Sequence, residues 1–240
     1  MQQVNTGEHN SVLCDLLRII YEDNHLIVII KPPCMPSVPD ISEDLSAYEW
    51  VKTYIKDIKK KPGNVYLGIF QRLDRPASGI LAFSKTSKSS KRMTDAMKKG
   101  LIKKQYLALT EGTPKKTEGE ETLWLKKDRR KNVVTIGRNG NGQRAVTKWK
   151  VLNIKNKKTL FLVEPKTGRP HQIRVTLSHL GCPILGDVKY GASAPLRDRS
   201  IALHATRLSF PHPTRKELMT FTALPYRSPF PKIKEDEVSF

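Results

Sequence analysis

The chain is short of cysteine, of acidic residues and of long apolar runs, and each shortage removes a class of protein. Cys14, Cys34 and Cys182 are odd in number, far apart and without CxxC spacing, which supports neither a disulfide framework nor a zinc site. A reducing cytoplasm suits such a set. No apolar stretch has transmembrane length; the longest, LIVII at 26–30, has the length of a strand and runs straight into Lys-Pro-Pro. The opening MQQVNTGEHN lacks the apolar segment of a secretory signal. No internal repeat is visible. The 23 Asp and Glu are outnumbered by 43 Lys and Arg, a formal net charge of +20, which points to a polyanionic partner: nucleic acid ahead of an anionic membrane surface.

What is present is enough to fold. A chain of 240 residues, 38% hydrophobic, can bury a proper core as one large domain or as two lobes sharing an interface. Branching, alternation and bounding turns predict strands over 25–30, 79–84, 103–110, 132–137, 145–154 and 159–165, with RNGNGQR (138–144) turning between two of them. Leu45, Tyr48, Val51, Ile55 and Ile58 repeat at helical spacing from Ser42, a candidate N-cap, to Pro62-Gly63. A second helix is predicted through SKSSKRMTDAMKK to Gly100. A third follows Gly168-Arg169-Pro170, with the proline at its first position, and ends at Gly181. The polar segment 111–121 reads as a lobe boundary or a long surface loop.

The segment QRLDRPASG (71–79) sets Asp74 between two arginines. An exposed acid so placed is ordinarily a surface ion pair of small worth. Yet Pro76 fixes one backbone angle and Gly79 tolerates positive φ, so the segment is expected to form a rigid loop with its side chains in fixed directions. Nearby positive charge would hold a carboxylate there ionised, as a nucleophile or electrostatic stabiliser requires. The segment 164–181 again joins a Gly-Pro turn to Arg and His at a helix start, where partial positive charge favours anions. Within it His171 and Arg174 share one face, which on a lone basic helix is ordinarily a solvated one, while Ile173 and Leu177 lie on the buried side. Tyr106 lies within a predicted strand, where a ring packs into the core or, facing a cleft, stacks on a base.

RLDRPASGILAF, KKQYLALTEG, KTGRPHQIRVTLSHLGCPILGDVKYG and IALHATRLSFPHP, in that order and after DNHLIVIIKPPCMPSVPD, resemble the RluA subfamily of pseudouridine synthases from about Leu17 to about Pro225. The resemblance implies an α+β pseudouridine synthase fold, a mixed, mostly antiparallel sheet bent across two lobes with the active cleft between them. It implies a catalytic domain over 17–228, an N-terminal extension over 1–16, a C-terminal tail over 229–240, and the short form of the enzyme that lacks an S4-type domain. By the same resemblance Asp74 is the nucleophile, attacking ribose C1′ or uracil C6, or acting through a glycal. Arg174 pairs with it, and Tyr106 packs on the uracil and is a candidate for the later proton removal at C5. Arg72 enters the RNA where the target nucleotide leaves, Leu203 forms an apolar wall, and His171 joins the substrate-binding set.

Isomerising uridine breaks the N1–C1′ bond and makes a C5–C1′ bond without net oxidation or hydrolysis, so neither cofactor nor metal is expected. The substrate class implied is rRNA or tRNA, bound by a monomer, with the target base flipped from its stack. Glycoside hydrolysis normally uses two carboxylates, and the motifs offer one convincing acid. Two other classes compete: a non-catalytic RNA-binding or chaperone protein that keeps the cleft, and an RNA N-glycosidase. Four positions depart from the family's habit: Cys34 stands for a common Gly, Gln71 for His, Ala77 for Thr and Thr176 for His. Asp187, Lys189, Tyr190 and His204 read as structural. Of the basic clusters at 56–61, 88–92, 126–131 and 155–158, the sequence does not say which meet phosphate.

Overall fold

The computed structural model describes residues 17–240 apart from 61, 129, 138, 139, 227 and 239. Cys14, the 1–16 extension and part of the 138–144 turn thus lie outside the described residues. Eleven strands form one sheet: β1 (Arg18–Glu22), β2 (Leu26–Lys31), β3 (Gly68–Ile69), β4 (Ser78–Ser84), β5 (Lys103–Glu111), β6 (Glu118–Asp128), β7 (Val133–Ile136), β8 (Gln143–Lys155), β9 (Lys158–Pro165), β10 (Leu203–Pro211) and β11 (Leu218–Thr222). The spatial order is β1-β2-β4-β10-β5-β9-β8-β6-β7, with β3 on β4 and β11 on β10. All of these pairings are antiparallel except β4 with β10, where Gly79 lies beside Ala205.

That parallel contact needs a glycine. Gly79 has φ +116, and a Cβ there would stand 2.4 Å from the backbone N and O of Ala205. Alternation along the central strands sends successive side chains to opposite faces of the sheet. Ile27, Ile29, Leu81 and Phe83 join the main core, which also takes in Trp50 and Val51 of α1 (Ala47–Thr53) and Ile173 and Leu177 of α3 (Gln172–His179). Leu26, Val28, Ile80 and Ala82 point the other way and pack on Met93 and Ala96 of α2 (Ser87–Lys98).

Several expectations need correction. The N-cap of α1 is Ser46, reciprocally bonded with Glu49; Ser42 is taken up in a turn, where its N–H and hydroxyl both bond Asp40. The helix runs on as a wider π-type turn over Tyr54–Ile58. Pro170 is not the first residue of α3: Gln172 N–H bonds the Arg169 carbonyl first, and His171, at φ +50, is the N-cap. Nor does α3 have a solvated face, since Gln172 through Leu177 are all buried. The segment 111–121 divides between the ends of β5 and β6, leaving only 112–117 as a connection.

Candidate active site

The Asp74 loop is held from behind by a buried lysine. Lys31, at the end of β2 and fully buried, points its ammonium at the carbonyls of Pro32 (2.8 Å), Met35 (2.8 Å), Arg75 (3.2 Å) and Ala77 (2.6 Å). Burial pulls its pKa down to about 7, against the fields of Cys34 and Asp74. Four carbonyl acceptors favour the ammonium, which alone offers three N–H bonds. Ser37 adds a second tie, its hydroxyl donating to the Leu73 carbonyl (2.7 Å) and accepting the Leu73 N–H (2.9 Å). Ala77 N–H closes the turn on the Asp74 carbonyl (3.0 Å). Cys34 does adopt positive φ (+65), and its thiol reaches the Asp198 carbonyl at 3.1 Å.

Arg174, six per cent exposed, lies between two acids. Its Nε and Nη2 grip both oxygens of Asp187 at 2.7 Å each, and its Nη1 reaches Asp74 Oδ2 at 3.2 Å. The bidentate partner is thus Asp187, one per cent exposed, while Asp74 keeps 27% of its side chain open to the cleft. Burial alone would lower the Arg174 pKa; the bonds and charge of Asp187, and then of Asp74, raise it. Beneath the guanidinium lies the Tyr190 ring, 4.8 Å from Cζ to centroid. The Tyr190 hydroxyl accepts the Val134 N–H (2.9 Å) and bonds His171 Nδ1 (2.6 Å).

These groups floor a cleft of about 670 Å³, within the range of about 300–1,000 Å³ usual for small-ligand sites. Asp74, His171, Arg174 and Asp187 line it. Pro76, Val188, Pro195, Leu196 and Ile201 supply apolar wall, and Arg75, Lys189, Arg197 and Arg199 stand among its lining too. Tyr106, eight per cent exposed on β5, is close enough for the Asp74 charge to act on it; burial and that charge push its phenol pKa up. Burial lowers the His171 pKa, with Asp74 opposing.

Of the six site residues read from the sequence, Asp74, Arg174 and His171 meet in the cleft and Tyr106 lies beside them. Arg72 is exposed and Leu203 is buried in the main core; neither lines the cleft, whose apolar wall takes Ile201 instead. Asp187 and Lys31 went unread as supports of the site. The lysine's signal was an ionisable residue closing an apolar strand run, LIVIIK.

Residues 25–179 match the family model described as RNA pseudouridylate synthase. The chain belongs to that family. Among its relatives, an RNA pseudouridine synthase of Zymomonas mobilis is 32% identical over 210 residues, spanning 87% of this chain and 94% of that protein. The dual-specificity RNA pseudouridine synthase RluA of Haemophilus influenzae is 33% identical over 223 residues, spanning 90% and 96%. This likeness supports the RluA subfamily reading. A solved structure of human RNA Pseudouridylate Synthase Domain Containing 4 shares the fold, with TM-score 0.75 and 24% identity over 91% of this chain and 93% of that one. As a member of the family the chain is an RNA pseudouridine synthase, an isomerase acting on RNA. Among the described residues no helix is long and apolar enough to cross a membrane, and no group of side chains is arranged to hold a metal ion.

Proposed function

We propose that this chain isomerises specific uridines in structured rRNA or tRNA, with Asp74 as nucleophile, acting as a monomer in the cytoplasm. The observation that carries the assignment to Asp74 is its position: a partly open carboxylate on a clamped loop, 3.2 Å from a guanidinium that a second acid already holds fast. Arg174 is thereby aimed before substrate arrives, and Asp74 keeps its free oxygen for the nucleotide. Attack at ribose C1′ or uracil C6, or elimination to a glycal, all start from that oxygen. The N1–C1′ bond breaks, the base turns within the apolar walls, C5 bonds C1′, and the C5 proton leaves as N1 gains one. Water exclusion by Pro76, Leu196 and Ile201 protects the detached base and sugar from hydrolysis.

Tyr106 begins as a neutral phenol suited to packing on the base. Part of what keeps it protonated is the Asp74 charge. On the C6 route Asp74 stays bound to carbon, and neutral, until the C5 proton leaves, so there the phenol has lost that part and would more readily pass its own proton to N1 and take the one from C5. On the C1′ route Asp74 is released as a carboxylate when C5 bonds C1′, and that part returns. Arg72, exposed beside the loop, would take the place of the extruded nucleotide, and Leu203 would support the wall from the core behind Ile201.

Pseudouridine mapping of total RNA with and without the protein, repeated with Asp74→Asn, tests the reading. The expected result is one or a few uridines converted with RNA mass unchanged, and none converted by the variant, which still binds RNA. Unaltered function in the variant would favour a non-catalytic binder; released uracil and an abasic site would favour a glycosidase.

A further inference from the structure

Several of the side-chain donors that line the cleft are already spent on the protein itself. Each nitrogen of the Arg174 fork is bound, Nε and Nη2 to Asp187 and Nη1 to Asp74. Arg75 bonds Ser42 (2.8 Å) and the Cys34 carbonyl (3.2 Å) and pairs with Asp44 and Asp40. The Lys189 ammonium donates to the Asn132 carbonyl at 3.3 Å. His171 differs. Its half-buried ring lines the cleft, and among the described residues Nδ1 has a protein partner while Nε2 has none.

The bonded nitrogen fixes the tautomer. Tyr190 is buried; its phenol oxygen accepts the Val134 N–H (2.9 Å) and lies 2.6 Å from His171 Nδ1. Among the described residues the phenol's own proton has no other acceptor, so it goes to Nδ1, and a neutral imidazole must then carry its proton on Nε2. Burial lowers the pKa of the ring; Asp74 opposes, and Arg174, Lys189 and Lys127 side with burial, which keeps it neutral at ordinary pH. Placement is equally firm. At φ +50 His171 is the N-cap of α3, its carbonyl takes the Val175 N–H (3.0 Å), and its ring meets that of Tyr190 edge-on. The product is a fixed Nε2–H in the cleft that holds Asp74, with no protein group to satisfy it among the described residues.

We infer that His171 is the residue that tells uridine from cytidine: its Nε2–H donates to the C4 carbonyl of the bound uracil, where cytosine would present an amino group. The reaction makes that position a demanding one. For C5 to reach C1′ the base turns about the axis through N3 and C6, which exchanges N1 with C5 and the C4 carbonyl with the C2 carbonyl. Uracil therefore offers the fixed donor an acceptor both before and after the turn. Cytosine would bring its amino group against the same N–H on binding, leaving two donors face to face and unpaired in a half-buried site. Uracil as the occupant rests on the proposed reaction; the tautomer of the donor and its preference are measured without turnover.

Nitrogen NMR of the free protein, isotopically labelled at histidine, is expected to show His171 as the Nε2–H tautomer at neutral pH; an Nδ1–H tautomer or an imidazolium overturns the inference. The second measurement is affinity for two RNA stem-loops that share a stem and carry an all-uridine or an all-cytidine loop. Their phosphates are equal in number, so the electrostatic part of binding cancels in the ratio. The parent should favour the uridine loop about tenfold, the worth of one hydrogen bond set against a clash of donors. His171→Asn keeps a side chain that tolerates positive φ and an acceptor for the Tyr190 proton, but puts no donor at the Nε2 position. It should keep the parent's urea midpoint and bind the two loops equally. A parent without the preference, or a folded variant that retains it, overturns the inference. Absent pseudouridine with the preference intact would leave the donor's role standing and count against the proposed reaction alone.

Discussion

Arg174 illustrates how one buried charge can be made useful by two acids of unequal exposure. Asp187 grips it with two short bonds, and Asp74 receives what remains of the fork. Removing Asp187 would leave the guanidinium buried with a single, partly solvated partner. Asp187→Ala is therefore expected to lower stability by about 3–5 kcal/mol, read as a fall in the urea midpoint, and to abolish isomerisation even where the protein still folds. Asp187→Asn, which keeps an acceptor for one bond, should recover much of the stability and little of the rate. For Tyr106, Tyr106→Phe separates two roles: near-normal uridine isomerisation means packing, whereas accumulation of an intermediate before C5 proton loss means the phenol moves that proton. The arginine and aspartate were legible because the motif resemblance marked them. Asp187 reads as structural in the sequence because a partner 13 positions away, across a helix and a turn, leaves no local pattern.

At the scale of elements, the parallel junction of β4 and β10 and the Lys31 clamp carry most of the precision of the site. Gly79→Ala would drive a methyl into the Ala205 backbone and strain a residue at φ +116; a loss of about 3 kcal/mol is expected in equilibrium unfolding. His204 pins the same junction. Its Nε2 must donate to the Ala223 carbonyl (3.1 Å), so Nδ1 accepts the Ser78 hydroxyl (2.8 Å). Burial lowers its pKa to about 4. The unfolded chain, titrating near 6.5, takes up its proton first as pH falls. Stability from this group is then present above about 6.5 and lost as pH drops towards 4, by at most about 3 kcal/mol. Urea titrations across that window should show the fall, and His204→Asn should flatten it.

Legibility varied between elements for physical reasons. β4, β5 and β9 announce themselves as apolar runs buried on both faces. β6 does not: Leu123 and Leu125 are its buried residues, and its polar start is held in the sheet by backbone pairing with β8. α3 read as amphipathic because Arg174 and His171 look like solvent residues; its Arg is buried only because Asp187 is there to meet it. The true cap of α1 was written in the sequence as Ser-Ala-Tyr-Glu, a capping box four positions past the serine chosen.

For the whole molecule, the last residues are part of the core. Val238 is fully buried in the main cluster, with Phe230 and Ile233 packed against it. Truncation after 228 should lower the unfolding midpoint, with Val238 alone worth roughly 1.5–3 kcal/mol, and Val238→Ala should reproduce part of that loss. The β4–β10 contact has a further consequence in time. Ser78 and His204 are 126 positions apart, and contacts so remote in the chain close slowly. The pocket around Asp74 is walled by 74–76 and by segments as far along the chain as Ile201, so a nascent chain carries that carboxylate long before its surroundings have been made.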